Sequence, residues 1–252
     1  MQSKTMYGFP LFTILFHGAM ITTLSLFTIL SIALYGFSAL FLIFFIMLYV
    51  YFFVIHFKKT FSKKRFQILQ KMIETVDITG SEIILDLGTG AGYIAIGFAK
   101  KLDQGTVYGI DKYDLKPNGI FSKLFDVAKI NFFGNTISNA KNNALVEKQQ
   151  NKTEFLEAEL TQCFPFKDDS FDVIVSSQFL YCIPQERLSF VLSEINRVLK
   201  SDGVLVFFES KRFFNWDFES VIKFFRKKGY ENDIFSLDEF KSKVIYRARK
   251  PK

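Results

Sequence analysis

The segment Ile83–Lys100, IILDLGTGAGYIAIGFAK, constrains the fold of this chain more than any other. An apolar, β-rich run (Ile83, Ile84, Leu85) ends at Asp86, and glycines follow at alternate positions, Gly88, Gly90 and Gly92. An apolar run of helical character then begins. A strand that stops at a glycine-rich turn and re-enters as a helix puts bare backbone beside a ligand. The spacing is G-x-G-x-G: Tyr93 stands where the dinucleotide fingerprint has its third glycine. That glycine serves close helix–strand packing, so its absence weighs against a dinucleotide.

Beyond residue 80 the pattern alternates. Glu82–Leu87 reads as a strand, Gly92–Lys101 as a helix, and Thr106–Ile110 as a second strand ending at Asp111. Asn135–Glu147 reads as a helix, Thr153–Glu157 and Phe171–Ser176 as strands, and Gln185–Leu199 as a helix. The strand Gly203–Glu209, the helix Trp216–Lys228 and two closing strands, Asn232–Phe235 and Lys243–Ala248, complete the set. Strands alternating with helices predict an α/β fold with a doubly wound, mostly parallel sheet. The connection Lys112–Gly134 is longer than such loops usually are. Its phenylalanines suit a helix packed on the domain, a lid, or an amphipathic element dipping into the membrane beside the site.

LDLGTGAG resembles the first motif of the class I S-adenosylmethionine-dependent methyltransferases, and four further blocks resemble that family's in order between about Ser81 and Lys250. They are Asp111 at the end of its strand, Glu157-Ala-Glu159-Leu160, Phe164–Ser177, and Leu192–Gly203. The resemblance implies a seven-stranded Rossmann-like sheet closed by an antiparallel hairpin, with S-adenosyl-L-methionine as cofactor. It assigns the cofactor loop to Asp86, Gly88, Thr89, Gly90 and Gly92. Asp111, with Lys112 beside it, stands where α/β nucleotide folds place an acid for the ribose hydroxyls. Glu159 is assigned to the adenine amine with Leu160 lining the ring, and Glu157 competes for that role. Ser176 and the residues after it are expected to face the methionine part.

Methyl transfer from a sulfonium is an in-line displacement that needs alignment and water exclusion more than a metal or a triad. No histidine lies beyond His56, so a general base, where one is needed, is Glu, Asp, Tyr or Lys. Gln178 and Tyr181 follow the fourth strand at the edge the acceptor approaches, although rim packing accounts equally well for Tyr181. Ser176-Ser177-Gln178-Phe179 stands where amino-methylating DNA enzymes carry Asn/Asp-Pro-Pro-Tyr, which weighs against that class. Cys163 and Cys182 have neither metal spacing nor a disulfide framework.

From Phe9 to Phe57 the chain has no Asp, Glu, Lys or Arg, only His17 and His56. About 20 apolar residues cross a bilayer core, so the stretch predicts two transmembrane helices. These are residues 9–31 and 38–57, joined near Tyr35–Gly36; one span plus an interfacial helix is the alternative. A secretory signal has a much shorter apolar region. Lys58, Lys59, Lys63, Lys64 and Arg65 flank the second span, which puts the following domain on the cytoplasmic side of a multi-pass membrane protein. The net charge of +7 lies beyond residue 57 apart from Lys4, and beside an anchor it favours anionic headgroups over nucleic acid. No RNA-recognition signature is present. Phe66, Leu69, Ile73 and Val76 sit at helical spacing and predict an amphipathic helix Arg65–Val76.

The expected organisation is a membrane anchor at 1–57, a basic segment with its helix at 58–80, and a methyltransferase domain at 81–252 with 112–134 inserted. The expected activity is methyl transfer to a lipophilic acceptor in the bilayer, such as a quinone precursor or a lipid. The rivals are methylation of a membrane protein and a cofactor-binding scaffold without turnover.

Overall fold

The computed structural model describes residues 63–113, 136–213, 216–236 and 242–252, with isolated residues between 22 and 51. The chain divides into two units, Leu69–Lys252 with Met1–Gly8, and Phe9–Ile68. In the second unit Thr22, Thr23, Ser25, Leu26, Ile46, Met47, Leu48, Val50 and Tyr51 are helical. Leu26, Met47 and Tyr51 are each more than 60% exposed. Otherwise the expected spans 9–31 and 38–57 lie outside the described residues, as does most of the 112–134 insertion. Among the described residues no helix is long and apolar enough to cross a membrane.

The first unit is built on a seven-stranded sheet. Its parallel strands are β1 (Ile83–Leu87), β2 (Thr106–Asp111), β3 (Thr153–Glu157), β4 (Phe171–Ser177) and β5 (Leu199–Ser210). A two-residue ladder, β6 (Arg212–Phe213) with β7 (Trp216–Asp217), precedes β8 (Glu231–Ser236) and β9 (Lys243–Arg249). The strand order is β3-β2-β1-β4-β5-β9-β8, and β9 runs antiparallel to both neighbours. The order reverses between β1 and β4. In doubly wound sheets that is where a crevice opens beyond the carboxyl ends of the strands.

Helices cover both faces, as the alternating pattern requires. Among the described residues the helices are α1 (63–74, of which Leu69 onward belongs to this unit), α2 (Tyr93–Ala99), α3 (Ile137–Val146), α4 (Gln185–Val198) and α5 (Glu219–Lys227). Leu85, Leu87, Ile174, Leu205 and Phe207 join α4 and α5 in one apolar core. On the other face α2 and α3 bury Ile94, Phe98, Ala140 and Ala144. α4 has no side-chain cap, so its stability rests on burying Leu188, Val191, Leu192, Ile195 and Val198. Each such side chain contributes about 1.5–3 kcal/mol relative to exposure, more than a cap does.

Three expectations need correction. β5 begins at Leu199, not Gly203, because the chain passes directly from α4 into the strand and Leu199 pairs with Phe171 of β4. The last helix begins at Glu219, not Trp216, because Trp216 is buried and its Nε1–H donates to the Ser210 carbonyl at 3.1 Å. That contact holds Trp216 in the β6–β7 ladder. In α1 the buried residues are Leu69 and Met72, followed by Val76 just past its end, while Phe66 is 57% exposed and Ile73 only half-buried. Leu69 settles against Gly97 of α2, where a Cβ would come within 2.4 Å of its side chain.

Candidate functional site

β1 carries Asp86 as its last residue but one, and after Leu87 the chain turns immediately through Gly88, Gly90 and Gly92, with φ of +71°, +54° and +82°. Those conformations strain any residue with a Cβ. At Gly88 a Cβ would also lie 2.4 Å from the Phe179 ring. The loop is tied to β2 by the N–H groups of Gly88 and Thr89, which donate to the Ile110 carbonyl at 2.9 and 3.1 Å. Asp86 is buried beneath it. Its Oδ2 accepts from Thr89 Oγ1 at 2.7 Å and from the Ala95 N–H at 3.1 Å. Burial, reinforced by the charge of Asp111 and only partly offset by the two hydrogen bonds, pushes its carboxyl up to about 7.

Asp111 closes the loop from the neighbouring strand. Its Oδ2 accepts the Gly90 N–H at 2.9 Å, and its Oδ1 accepts the Tyr113 N–H at 3.3 Å. Burial raises its pKa, against the hydrogen bonds from Gly90, Tyr113 and Lys112. Lys112 points outward to pair with Glu159 Oε2 at 2.5 Å, and Thr161 donates to Glu159 Oε1 through its hydroxyl and its N–H. The Lys112 pairing, then the Thr161 bonds, hold the Glu159 carboxyl below its usual range. Leu160 is 3% exposed and belongs to the core. Tyr113, at φ +50°, has a buried hydroxyl without a partner among the described residues, and the carboxylates of Asp111, Asp86 and Glu157 face it.

The other wall is the turn after β4. Ser176 is fully buried, and its Oγ donates to the Leu87 carbonyl at 3.1 Å, tying β4 to β1. Gln178 sits at φ +55° on the rim. Tyr181 belongs to the short turn Leu180–Cys182 and packs half-buried on the core, with its hydroxyl pKa raised by burial. The fold therefore gathers Gly88, Thr89, Gly90 and Gly92 of the loop with Asp86 of β1 beneath and Asp111 at the end of β2 beside them. Lys112, Glu159 and Leu160 lie just beyond β2 and β3, and Gln178 and Tyr181 just beyond β4. Two participants were not singled out by sequence. Asn143 of α3 is fully buried and donates from Nδ2 to the Ala91 carbonyl at 2.9 Å, which braces the loop from behind. Glu209 near the end of β5 is buried against the β4 turn, and its only sequence signal is a charge inside the apolar run VLVFFES.

A cavity of about 450 Å³ lies at the opposite edge of the sheet, lined by Thr79, Glu82, Asp172, Lys200, Asp202 and Arg249 among others. Its cations are paired, Lys200 with Asp172 at 2.7 Å and Arg249 with Asp202 at 3.2 Å. Asp172 also accepts the Ile83 N–H at 2.8 Å, a structural task. The glycine loop, at the carboxyl ends of the strands, is the stronger candidate for chemistry.

Strand order, glycine loop and strand-end acid are those of the class I methyltransferase fold, whose cofactor is S-adenosylmethionine. Residues 85–207 match the model of the family described as a methyltransferase domain. The "Probable methyltransferase ltbC" of Aspergillus luteorubrus is 26% identical over 129 residues, 51% of this chain and 40% of that protein. The match therefore spans well under half the length of that curated relative. Among solved structures, the YcgJ protein of Bacillus subtilis superposes with a TM-score of 0.54 at 15% identity, over 73% of this chain and 98% of that one. A SAM dependent methyltransferase of Aquifex aeolicus gives 0.53 at 16% identity, over 72% and 87%. Both are likenesses of fold. The residues present suit the cofactor: glycines keep the loop free of side chains, and each oxygen of Asp111 retains a lone pair for a ribose hydroxyl.

Proposed function

We propose that the protein is a membrane-anchored methyltransferase that moves the methyl group of S-adenosylmethionine to a lipophilic or membrane-associated acceptor, such as a quinone precursor or a lipid. The observation that carries the catalytic part is the 2.9 Å bond from the Gly90 N–H to Asp111, which sets a carboxylate beside a glycine loop at the strand reversal. In this reading Asp111 accepts from the ribose hydroxyls. The backbone of Gly88, Thr89, Gly90 and Gly92 lies along the cofactor over Asp86. Glu159, steadied by Lys112, accepts from the adenine amine beside Leu160, and the backbone at Ser176 borders the methionine part. The bound cofactor supplies an activated methyl, so the protein's work is alignment, water exclusion and care of one proton. Gln178 and Tyr181 orient the acceptor at the rim. Tyr181 is a hydrogen-bond donor rather than a base, since burial holds its proton on.

The membrane part is supported by the charge-free stretch Phe9–Phe57 and by the basic run from Lys58 to Arg65. Helical, exposed Leu26, Met47 and Tyr51 suit contact with lipid. An enzyme fixed in the bilayer loses free diffusion and gains proximity to an acceptor dissolved there.

The test is calorimetric titration of S-adenosylmethionine and its demethylated product into detergent-solubilised protein, with Asp111→Ala alongside. Micromolar binding weakened about tenfold by the substitution, roughly 1.4 kcal/mol, is expected. A labelled-methyl screen against membrane lipid extracts then names the acceptor class. No binding by folded protein would sink the catalytic reading, and label transfer only to water-soluble acceptors would sink the lipophilic one.

A further inference from the structure

Glu209 is fully buried, and its Oε2 accepts no hydrogen bond among the described residues. Its other oxygen accepts two, from the N–H groups of Phe179 and Leu180, each at 2.8 Å. The N–H of Gln178 donates to the neighbouring Phe208 carbonyl, also at 2.8 Å. Three successive amides of the β4 turn are thus held by two successive residues of β5. The turn would not adopt this shape unaided, because Gln178 sits at φ +55°, a conformation that costs a residue with a Cβ roughly 1–2 kcal/mol. The held turn lays the Phe179 ring on the bare face of Gly88, where a Cβ would meet ring atoms at 2.4 Å. An apolar side chain at position 209 would avoid an unpartnered buried oxygen but would abandon both amides. Lys243 of β9 and Tyr181 and Cys182 of the turn are the titratable groups that interact with the Glu209 carboxyl.

We propose that Glu209 is a positioning residue for the cofactor: it latches Phe179 onto Gly88 and so holds the glycine loop in its binding shape. The same latch fixes Gln178 and Tyr181, joining the cofactor side and the rim into one unit. Three glycines in a row of turns have much backbone freedom to lose on binding, and a ring held against one of them removes part of it beforehand. This inference rests on S-adenosylmethionine being the cofactor.

Full-length protein in detergent is titrated with S-adenosylhomocysteine well below the melting temperature of each variant, so that affinity is read apart from stability. Wild-type protein that is folded and does not bind would overturn the cofactor reading, not this one. Glu209→Gln keeps an oxygen for both amides and is expected to bind within about twofold of wild type. Glu209→Leu and Phe179→Ala are each expected to bind roughly tenfold more weakly. The double variant should be no weaker than either alone, because both substitutions break one link. Wild-type affinity in both single variants, or additive losses in the double variant, overturns the proposal. Should Glu209→Leu not fold, Phe179→Ala decides: a loss of about tenfold with Glu209→Gln intact upholds the latch, and wild-type affinity overturns it.

Discussion

At the scale of single residues, the glycines after β1 do different work from glycines elsewhere with similar backbone angles. Gly88 and Gly229 both have positive φ, +71° and +81°. A Cβ at Gly229 would meet nothing nearer than Pro251 Cγ at 3.7 Å, whereas at Gly88 it would strike the Phe179 ring at 2.4 Å. Gly229→Ala should therefore cost about 1 kcal/mol, the conformational part alone. Gly88→Ala adds overpacking of roughly 1–3 kcal/mol and should also weaken S-adenosylmethionine binding. Urea unfolding of the two variants side by side checks this, and equal losses would mean that the Phe179 contact carries nothing. The spacing of the three glycines was legible in the sequence because the chain itself writes it. Their partner Phe179 was not, since it lies about 90 residues away and arrives only when β4 pairs with β1.

At the scale of elements, α3 does more than cover the sheet. Asn143 is fully buried and its Nδ2–H bond to the Ala91 carbonyl spans 52 residues of sequence, joining α3 to the chain just before α2. Asn143→Ala leaves that carbonyl without its donor, and an unsatisfied buried group costs about 1–3 kcal/mol. The expected result is a lowered melting temperature together with cofactor binding weakened several-fold, measured by calorimetry at a temperature where the variant is folded. Unchanged affinity would confine Asn143 to stability. The strands were readable because each is a short apolar or β-branched run between turn residues, and β3 came out with the bounds its pattern predicts. The start of α5 departs from the helical pattern because Trp216 is anchored through its ring to Ser210 and to Phe218, 6.3 Å away between centroids. Helical spacing carries no sign of such a contact. α1 lies where helical spacing puts it and buries Leu69, as expected, with Val76 just past its end, but Met72 reaches the core where Phe66 does not.

At the scale of the whole domain, three buried acids give stability a definite dependence on pH. Glu194 is held down to about 2, first by the Arg197 guanidinium, against some burial, and further by the Phe164 N–H. That pair also ties down the loop before β4, since Arg197 donates to the carbonyls of Phe164 and Phe166. An acid with a lowered folded pKa contributes stability that is present above its unfolded value of 4.5 and is lost as pH falls toward 2. Asp86 and Glu209 have the opposite sign. Burial pushes both up to about 7, from 3.8 and 4.5, so their contribution is complete below the unfolded values and is lost as pH rises toward 7. The two trends cross, and the cofactor-free protein should be most stable near pH 4–5 and lose stability toward neutrality as the unfolded chain ionises Asp86 and Glu209 while the folded protein does not. Asp86→Asn and Glu209→Gln remove the groups that ionise and should each flatten the upper limb, while Glu194→Gln should flatten the lower one. Melting temperatures from pH 3 to 8 read both limbs at once. A wild-type profile still rising between pH 5 and 7 would mean that these carboxylates are charged in the folded protein at neutral pH. The glycine loop would then rest on an ionised Asp86 whose burial cost is met elsewhere.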